Sequence, residues 1–500
     1  MENGVESVVG CPLKFYKAFS VLTLLACLSL SSCYHQFATG GGGGGGGGNN
    51  NGNAFLNVTL TSTPSTTVFF PSLSWQLGNV LLFDTAGVST SIAGGVDSGI
   101  FDFARLQTDT TYLGHVFVGA TSYNKLQVQF NSPVRFSYVY NSTNGTLFNG
   151  TSACAPGLVC LIPNTVPGFS ASTVTVPITF TATSNTNTGI RINFDLSKAV
   201  TIAGSVMTFD FTQPGAITVT TLPPASSQIL GLDTIDNATG VVTATSGTSL
   251  TIGNFSAGQT AFTVAPNAAF NDPSGICTPP ASLSCLAVDQ NISIDGIIAS
   301  DGTRTATQIE FLDPAPAVNE LEGLIISPVT NNQFKMLLTN GMGSNILIVT
   351  SPVLVNLSGA TTYFVDPKNL SGVVGGNTLG FLSQSDLVVG QTVMVQGGTF
   401  SGNNTSITNP TRVLLRYSSI SGTVQAPGGN IFTLTNVSPF FANLVNNSVL
   451  VETFSPGTAY DNITNFAGLS NVTNVSVRGL YLNPTSGATQ PLLAAKVRSH

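Results

Sequence analysis

From residue 54 onward, apolar and polar residues alternate along the chain with a period of two. The alternation is clearest in FLNVTLTS (55–62), KLQVQF (125–130), TVTVPITFTAT (173–183) and AITVTTL (216–222). A period of two places the apolar side chains on one face of a β-strand. No stretch of this region shows a helical period, and Gly, Asn and Pro supply turns between the segments. The pattern predicts an all-β protein with antiparallel strands.

The second half of the chain contains similar strands at three places. Opening segments begin at Thr239, Leu321 and Ile420, later segments at Asn291, Thr392 and Asn474, and closing segments at Thr305, Thr411 and Leu492. Paired glycines occupy matching positions in the opening and later segments: Gly240 and Gly296, Gly323 and Gly397, Gly422 and Gly479. The pattern predicts three copies of a module with five or six strands, in which the later glycine lets a strand bend at a barrel corner.

Composition shifts divide the chain into the segments that we predict as domains. The stretch LPPASS, which starts at residue 222, ends a region whose irregular strand spacing is typical of a β-sandwich. We predict a β-sandwich-like domain at 54–222, followed by OB-like β-barrel repeats at 230–315, 320–418 and 419–500.

Two parts of the chain resemble domains of bacterial lipoproteins. FDFARLQ (101–107) and VFVGATSYNKLQVQF (116–130) resemble an uncharacterised N-terminal domain of exported lipoproteins, although the spacing of Gly119 and Tyr123 departs from that family. The repeated segments resemble a small β-barrel domain of unknown function that is repeated in such lipoproteins. These resemblances imply an architecture and an exported location, and they imply no activity.

The N-terminal region has the order of a secretory signal. Lys14 and Lys17 precede an apolar stretch, 18–30, which ends in LSSC. This tetrapeptide resembles the bacterial lipobox, and the resemblance implies that 1–32 is a signal peptide and that Cys33 carries lipid. Cys27, in LLAC, is the alternative, but cleavage there would shorten the apolar region. By resemblance to known sorting rules, Tyr34 favours the outer membrane.

A run of glycines and asparagines follows the predicted lipid site. Gly40 to Gly48 and the next residues cannot form a core, so 33–53 is predicted to be a flexible tether of roughly 20 Å. Several acyl chains hold a protein stably on a membrane, whereas one chain holds it only marginally. An ordinary secretory signal or an uncleaved membrane helix is the alternative, which the glycine run disfavours.

The cysteines beyond the signal and tether form two close pairs. Cys154 and Cys160 enclose one Pro-containing turn, and Cys277 and Cys285 enclose another. In an exported chain this spacing predicts two local disulfides. Zinc is the weaker alternative, since neither pair has C-x-x-C spacing or a nearby histidine. We therefore expect no metal site and no cofactor.

Charge is scarce in this chain. Charged residues make up 7% of it, and 15 Lys plus Arg against 22 Asp plus Glu give a net charge of −7. Nucleic-acid partners are not expected, because no basic patch could neutralise phosphates.

Candidate catalytic residues are few. No G-x-S-x-G motif occurs, which disfavours an α/β serine hydrolase. The densest acidic set is Asp97, Asp102 and Asp109, which could act as acid, base or calcium ligands, although Asp102 with Arg105 equally predicts a surface ion pair. Two acidic pairs at module entrances, Asp233/Asp236 and Glu320/Glu322, are typical of soluble linkers. Trp75 alternates with Leu73 and Leu77, which predicts a core position.

These observations favour a lipid-anchored, exported protein that is not an enzyme. We expect a binding, adhesion or envelope-scaffold module at the outer membrane, either periplasmic or surface-exposed. The membrane, through the N-terminal lipid, and a cell-envelope polysaccharide or protein are the expected partners. A polysaccharide-active enzyme and a purely structural spacer are the alternatives.

Overall fold

The computed structural model describes residues 52–500, except for 94–99, 132–136, 149–152, 223–233, 255–257, 273–276, 279, 299–303, 312–319, 343–351, 367–369, 371–378, 443 and 484–491. Cys33, the predicted tether and Asp97 therefore lie outside the described residues. Residues 50–500 form one compact unit. The predicted all-β class is confirmed, with the strands arranged in several sheets. None of the described helices is long and apolar enough to cross a membrane.

The first half of the unit contains the strands of a β-sandwich and of two smaller sheets. They are β1 (Asn53–Thr63), β2 (Phe69–Ser72), β3 (Ser74–Asp84), β4 (Ser89–Ala93), β5 (Ile100–Asp102), β6 (Thr111–Gly119), β7 (Ser122–Phe130), β8 (Tyr138–Tyr140), β9 (Val159–Leu161), β10 (Ser172–Thr181), β11 (Asn187–Asp195), β12 (Val200–Ala203), β13 (Val206–Phe209) and β14 (Ile217–Leu222). One sheet has the order β14-β11-β1-β6, and the other has the order β10-β7-β3-β4 with β5 beside β3. The short α1 (Leu196–Ala199) follows β11, and a 3-10 turn (Arg105–Gln107) follows β5.

Aromatic side chains fill the space between the two sheets. Trp75 is fully buried, as its alternation with leucine predicts, and its indole nitrogen donates to the backbone oxygen of Asn131 at 3.0 Å. Phenylalanine rings surround it with centroids 4.9 to 6.2 Å away: Phe103, Phe130, Phe169, Phe209 and Phe211. Such a set of large rings supplies much of the apolar area that a sandwich core buries.

Both predicted cysteine pairs lie at bonding distance. Cys154 and Cys160 have Cα atoms 5.8 Å apart beside the β8–β9 hairpin, and Cys277 and Cys285 have Cα atoms 5.7 Å apart. Each bond closes a short loop of the chain.

Residues 234–311 form a closed five-stranded barrel. Its strands are β15 (Thr234–Ser246), β16 (Ser249–Asn254), β17 (Gly258–Asn271), β18 (Asn291–Ile298) and β19 (Arg304–Phe311), in the order β15-β16-β17-β19-β18. All these pairs are antiparallel except β17 with β19, which is parallel.

The remaining strands join one continuous sheet. They are β20 (Glu320–Ile325), β21 (Gln333–Met342), β22 (Val353–Asn356), β23 (Thr362–Val365), β24 (Thr392–Gln396), β25 (Thr399–Phe400), β26 (Ser406–Thr408), β27 (Arg412–Gly428), β28 (Ile431–Thr435), β29 (Val449–Glu452), β30 (Ala459–Asp461), β31 (Asn474–Tyr481) and β32 (Leu492–Ser499). The pairing scheme of the closed barrel recurs twice in this sheet, first from β20 to the beginning of β27 and then from the rest of β27 to β32.

Strand β27 serves two groups of strands. Its first residues pair with β24, and its later residues pair with β31 and β28. The predicted domain boundary between 418 and 419 lies inside this strand. Alternation alone cannot reveal such sharing, because one unbroken strand has the same pattern as two adjoining strands.

A 3-10 turn with a capped start precedes each of the strands β18, β24 and β31, which begin the later segments. These turns are Leu283–Cys285, Gln384–Asp386 and Phe466–Asn471. The side chains of Ser383 and Asn465 accept a backbone N–H in the second and third turns. Leucines at matching positions, Leu286, Leu387 and Leu469, are buried beneath them.

Close approach of a neighbouring backbone explains five of the six paired glycines, whereas Gly397 follows the end of β24 with φ of 72° and lies against the side chain of Thr411. A Cβ atom on Gly296 would lie 2.5 Å from the backbone oxygen of Thr305, and one on Gly479 would lie 2.1 Å from that of Leu493. Both glycines stand beside register shifts in their strand pairs. A side chain would therefore force adjacent strands apart where the sheet bends.

We predict that Gly479→Ala lowers the free energy of unfolding by roughly 2 kcal/mol, because the methyl group has no space. Gly468→Ala is the matched control, since a Cβ there would meet its nearest atom at 3.6 Å, an ordinary contact. Urea unfolding of both variants measures the difference. Equal stability would contradict the close-approach explanation.

Candidate functional site

Half of the charged residues that are buried in the described part of this charge-poor protein form ion pairs where the sandwich meets the barrels. The segment 105–110, between β5 and β6, packs against β27, β31 and β32. We call the ionic groups at this contact the charged joint: Arg105, Asp109, Arg191, Asp461, Arg478 and Arg498. Arg105 and Asp109 are four residues apart, and the fold brings the other members to them from distant parts of the chain.

The side chain of Arg498, near the end of β32, binds backbone groups of the sandwich. The guanidinium group donates to the backbone oxygens of Leu106 at 2.8 Å and Asp109 at 2.9 Å, and to the hydroxyl of Thr110 at 2.5 Å. Its Nε donates to Asp461 at 2.7 Å, and the side chain is almost fully buried. One arginine thus satisfies carbonyl groups that the irregular 105–110 segment would otherwise leave unpaired.

Asp461 connects Arg498 to a second arginine of the sandwich. Arg191, on β11, donates to Asp461 at 3.0 Å and to the side-chain oxygen of Asn462 at 3.1 Å. Burial alone would raise the pKa of the Asp461 carboxyl, but Arg498 and Arg191 together hold that pKa below its ordinary value. The carboxylate is therefore ionised throughout the neutral range.

Asp109 forms ion pairs with one arginine from each side of the contact. Arg105 donates to it at 2.9 Å from the sandwich, and Arg478 donates to it from β31. Burial opposes ionisation, yet Arg478 and Arg105 lower the pKa of Asp109 to about 2. Arg478 also lies over the ring of Tyr417 at 5.7 Å.

A second ionic group, the Arg416 cluster, joins the closed barrel to the sheet that follows it. Arg416 lies on β27 and pairs with Glu310 of β19, Glu322 of β20 and Asp366. Asn271 of β17 donates to Glu310 at 3.4 Å and to Asp366 at 3.3 Å. The three carboxylates raise the pKa of Arg416 despite its burial.

Buried ion pairs select an arrangement more than they stabilise it. Desolvation of two charges offsets most of their attraction, but a single charge left unpaired inside the protein is strongly destabilising. The joint and the Arg416 cluster therefore penalise any arrangement in which the sandwich or the closed barrel shifts away from its partners. Their role is to keep the described unit in one geometry.

A small cavity of about 80 Å³ lies between these groups. Its walls include Asp102, Arg105, Glu322, Arg416 and Arg478. The volume suits a few water molecules. Asp102 accepts from the backbone N–H groups of Leu73 and Ala104 and from the hydroxyl of Ser72, while burial raises its pKa.

A larger cleft of about 300 Å³ opens beside the joint. One wall is the 64–70 segment of the sandwich with Ser142, and the other is formed by residues 436–447 between β28 and β29. We call this feature the junction cleft. Gln107 reaches it from the joint and accepts from the hydroxyl of Ser421 at 3.3 Å.

The structure revises several sequence predictions about the acidic residues. Arg105 pairs with Asp109 and not with Asp102, and this pair is at a buried contact and not on a free surface. Glu322 belongs to the Arg416 cluster and not to a soluble linker. Asp233 lies outside the described residues, and nothing is described of the side chains of Asp236 and Glu320. Tyr123, whose spacing from Gly119 departs from the family that this region resembles, is a buried residue of β7.

Sequence reasoning missed Arg191, Arg416, Asp461 and Arg498. A signal was present, because charged residues interrupt apolar strands in IRINFDL (190–196), LLRYS (414–418) and LLAAKVRS (492–499). In a chain with so few charges, an arginine inside an apolar strand indicates a buried ionic partner. The sequence does not identify that partner.

No group of three or more potential metal-ligating side chains was found within the described ranges. The charged residues of the joint instead bind one another.

Comparison with known proteins finds a family model that matches one part of the chain. The model for a domain of unknown function, DUF5666, matches residues 239–310, which is nearly the whole closed barrel. A search of curated proteins finds no match to the chain. The number of such domains in the chain stays a prediction, as does the lipoprotein assignment.

We predict that the carboxylates of the joint contribute a constant amount to the free energy of unfolding from neutral pH to about pH 5. Below that pH their contribution falls. Asp109 and Asp461 have folded pKa values below their unfolded values, so their contribution is present above about pH 4 and is lost as the pH falls toward 2. For Asp109 the loss is roughly 2 kcal/mol. Urea unfolding at a series of pH values measures it, with Asp109→Asn as the variant that should show a flatter profile.

We predict that the same substitution, Asp→Asn, has different effects on stability at Asp102 and at Asp109. At pH 7, Asp109→Asn lowers the free energy of unfolding by roughly 3 kcal/mol, because it leaves Arg105 and Arg478 without a counter-charge. Asp102→Asn leaves stability unchanged or raises it, because burial disfavours the charged form and the amide oxygen still accepts from Leu73 and Ala104. Denaturant unfolding compares the two, and an equal loss would contradict the assigned roles.

Proposed function

We propose that this chain is an exported, lipid-anchored protein of the cell envelope that acts as a non-enzymatic binding, adhesion or scaffold module. Cys33 carries the lipid, residues 33–53 separate the folded unit from the membrane, and the unit presents a surface of fixed shape. The outer membrane is the proposed location.

The charged joint is the observation that carries this proposal. Six ionic residues of a charge-poor chain meet at one contact, four of them buried and two, Arg105 and Arg478, half-buried, and they hold the sandwich against the barrel strands. A surface that is rigid before binding loses little conformational entropy when it binds. A small entropy loss on binding suits a recognition or scaffold role, and such a role requires no conformational change.

Two of the candidate catalytic residues, Asp102 and Asp109, already form hydrogen bonds or ion pairs within the protein. Asp102 accepts three hydrogen bonds, from Ser72, Leu73 and Ala104, and Asp109 is held between two arginines. A glycoside hydrolase requires one protonatable carboxyl and one free carboxylate facing a common cleft. These contacts support a binding role over the polysaccharide-active alternative.

The anchor is tested by labelling a bacterial host that expresses the full chain with an alkyne-bearing palmitate. We predict that Cys33→Ser abolishes incorporation of the label and releases the protein from the membrane fraction. Cys27→Ser is the matched control and should retain both, because it alters the alternative site only. Label retained in Cys33→Ser and lost in Cys27→Ser would move the anchor to Cys27, and no label in the unaltered chain would refute lipidation.

The binding role is tested with the unanchored Cys33→Ser chain. Co-sedimentation with isolated envelope material supports a binding module, whereas a chain that stays in the supernatant supports the spacer alternative. Release of soluble sugar from the same material would favour the enzyme.

A further inference from the structure

The junction cleft has the chemistry of a site for an uncharged, hydroxyl-rich ligand. None of the residues that line it is charged, although the neighbouring cavity is lined by arginine and carboxylate side chains. A charged ligand would lose its hydration there without gaining a counter-charge, which is costly. A neutral ligand meets no such penalty.

Hydrogen-bonding groups stand on both walls of the cleft. Thr66 lies on the sandwich wall and Asn447 on the barrel wall, and both are exposed. Neither side chain makes a hydrogen bond to the part of the chain that the structure describes. Both are therefore solvated and able to exchange water for a ligand. Ser142 and Asn436 add a hydroxyl and an amide at the same rim.

The floor of the cleft is apolar and partly aromatic. Val68, Val437 and Phe441 are buried there, and the half-buried Phe69 stacks on Phe440 with ring centroids 5.0 Å apart. Sugar rings combine hydroxyl edges with an apolar C–H face, so they match polar walls around an aromatic floor. A volume of about 300 Å³ is at the lower end of the range for small-ligand pockets.

The two walls come from segments that are far apart in sequence. The charged joint and the contact of Ser421 with Gln107 hold those segments at a fixed separation. The hydroxyls of Thr108 and Ser419 add a further contact at 2.6 Å across the same boundary. The cleft thus exists only in the docked arrangement and is already formed before a ligand arrives.

We propose that the junction cleft binds one or two residues of a neutral oligosaccharide, with Thr66 and Asn447 as hydrogen-bonding groups and Phe69 as part of the apolar floor. This inference rests on the proposed binding function and names its ligand class. It assigns recognition only, with no bond made or broken in the sugar.

The test is isothermal titration calorimetry of the full chain in detergent with maltohexaose, cellohexaose and mannohexaose. Hexagalacturonic acid serves as the charged counterpart. We expect at least one neutral hexasaccharide to bind saturably and the charged one to bind much more weakly. Asn447→Gly and Thr66→Val should each raise Kd by roughly threefold to tenfold, because each variant loses one neutral hydrogen bond to the ligand.

The chain provides a closely matched control for Asn447. Asn332 also has a left-handed backbone, with φ of 61° against 50° for Asn447. The backbone oxygen of Asn332 accepts from the N–H of Leu357 at 2.8 Å, and the backbone oxygen of Asn447 accepts from the N–H of Val437 at 2.9 Å. Asn332→Gly should therefore cause the same backbone change as Asn447→Gly and leave Kd unaltered. Urea unfolding verifies that both variants fold.

Three results would overturn the inference: no binding of any neutral hexasaccharide, preferred binding of the charged one, or neutral binding that neither cleft variant weakens. The inference would also be overturned if Asn332→Gly raised Kd as much as Asn447→Gly does. These outcomes are independent of palmitate labelling and envelope co-sedimentation. The proposed function can therefore stand if the cleft assignment fails.

Discussion

The arrangement of this protein depends on the buried guanidinium group of Arg498. It reaches from the last strand into the 105–110 segment of the sandwich, where it satisfies two backbone oxygens and a hydroxyl, and it also pairs with Asp461. Arg191 and the Asp109 group extend this contact across the boundary. Aromatic rings add an apolar contact at the same boundary, where Phe69 and Tyr140 of the sandwich pack against Phe440, while the ion pairs disfavour shifted arrangements.

The shared strand β27 acts with these ion pairs. Because a single strand completes one set of pairings and begins the next, the two sets cannot rotate freely about a linker. Arg416 lies on the same strand and connects it to the closed barrel through Glu310. Covalent continuity and ionic pairing therefore restrict the same unit by different means. The fixed geometry places the two walls of the junction cleft opposite each other.

The scarcity of charge gives these contacts their selectivity. In a chain in which charged residues make up 7%, an arginine meets few carboxylates with which it could pair wrongly. The remaining surface is supplied by hydroxyl and amide side chains, which form hydrogen bonds without long-range attraction. Such a surface is compatible with neutral ligands, and it agrees with the uncharged lining of the cleft.

The sequence by itself determined the all-β class, the two cysteine pairs, the buried position of Trp75 and the matching glycine positions. These follow from local pattern, since alternation, short loops and the lack of a side chain act over a few residues. Only the tertiary structure decided that β27 is one strand shared by two sets of pairings, that Asp109 pairs with Arg478, and that Thr66 and Asn447 face a common cleft. Those relations join residues far apart along the chain, and the position of one arginine in an apolar strand does not specify which carboxylate it will meet. The physical reason is that such pairs are selected by the desolvation cost of alternatives in the folded protein, which no local pattern records.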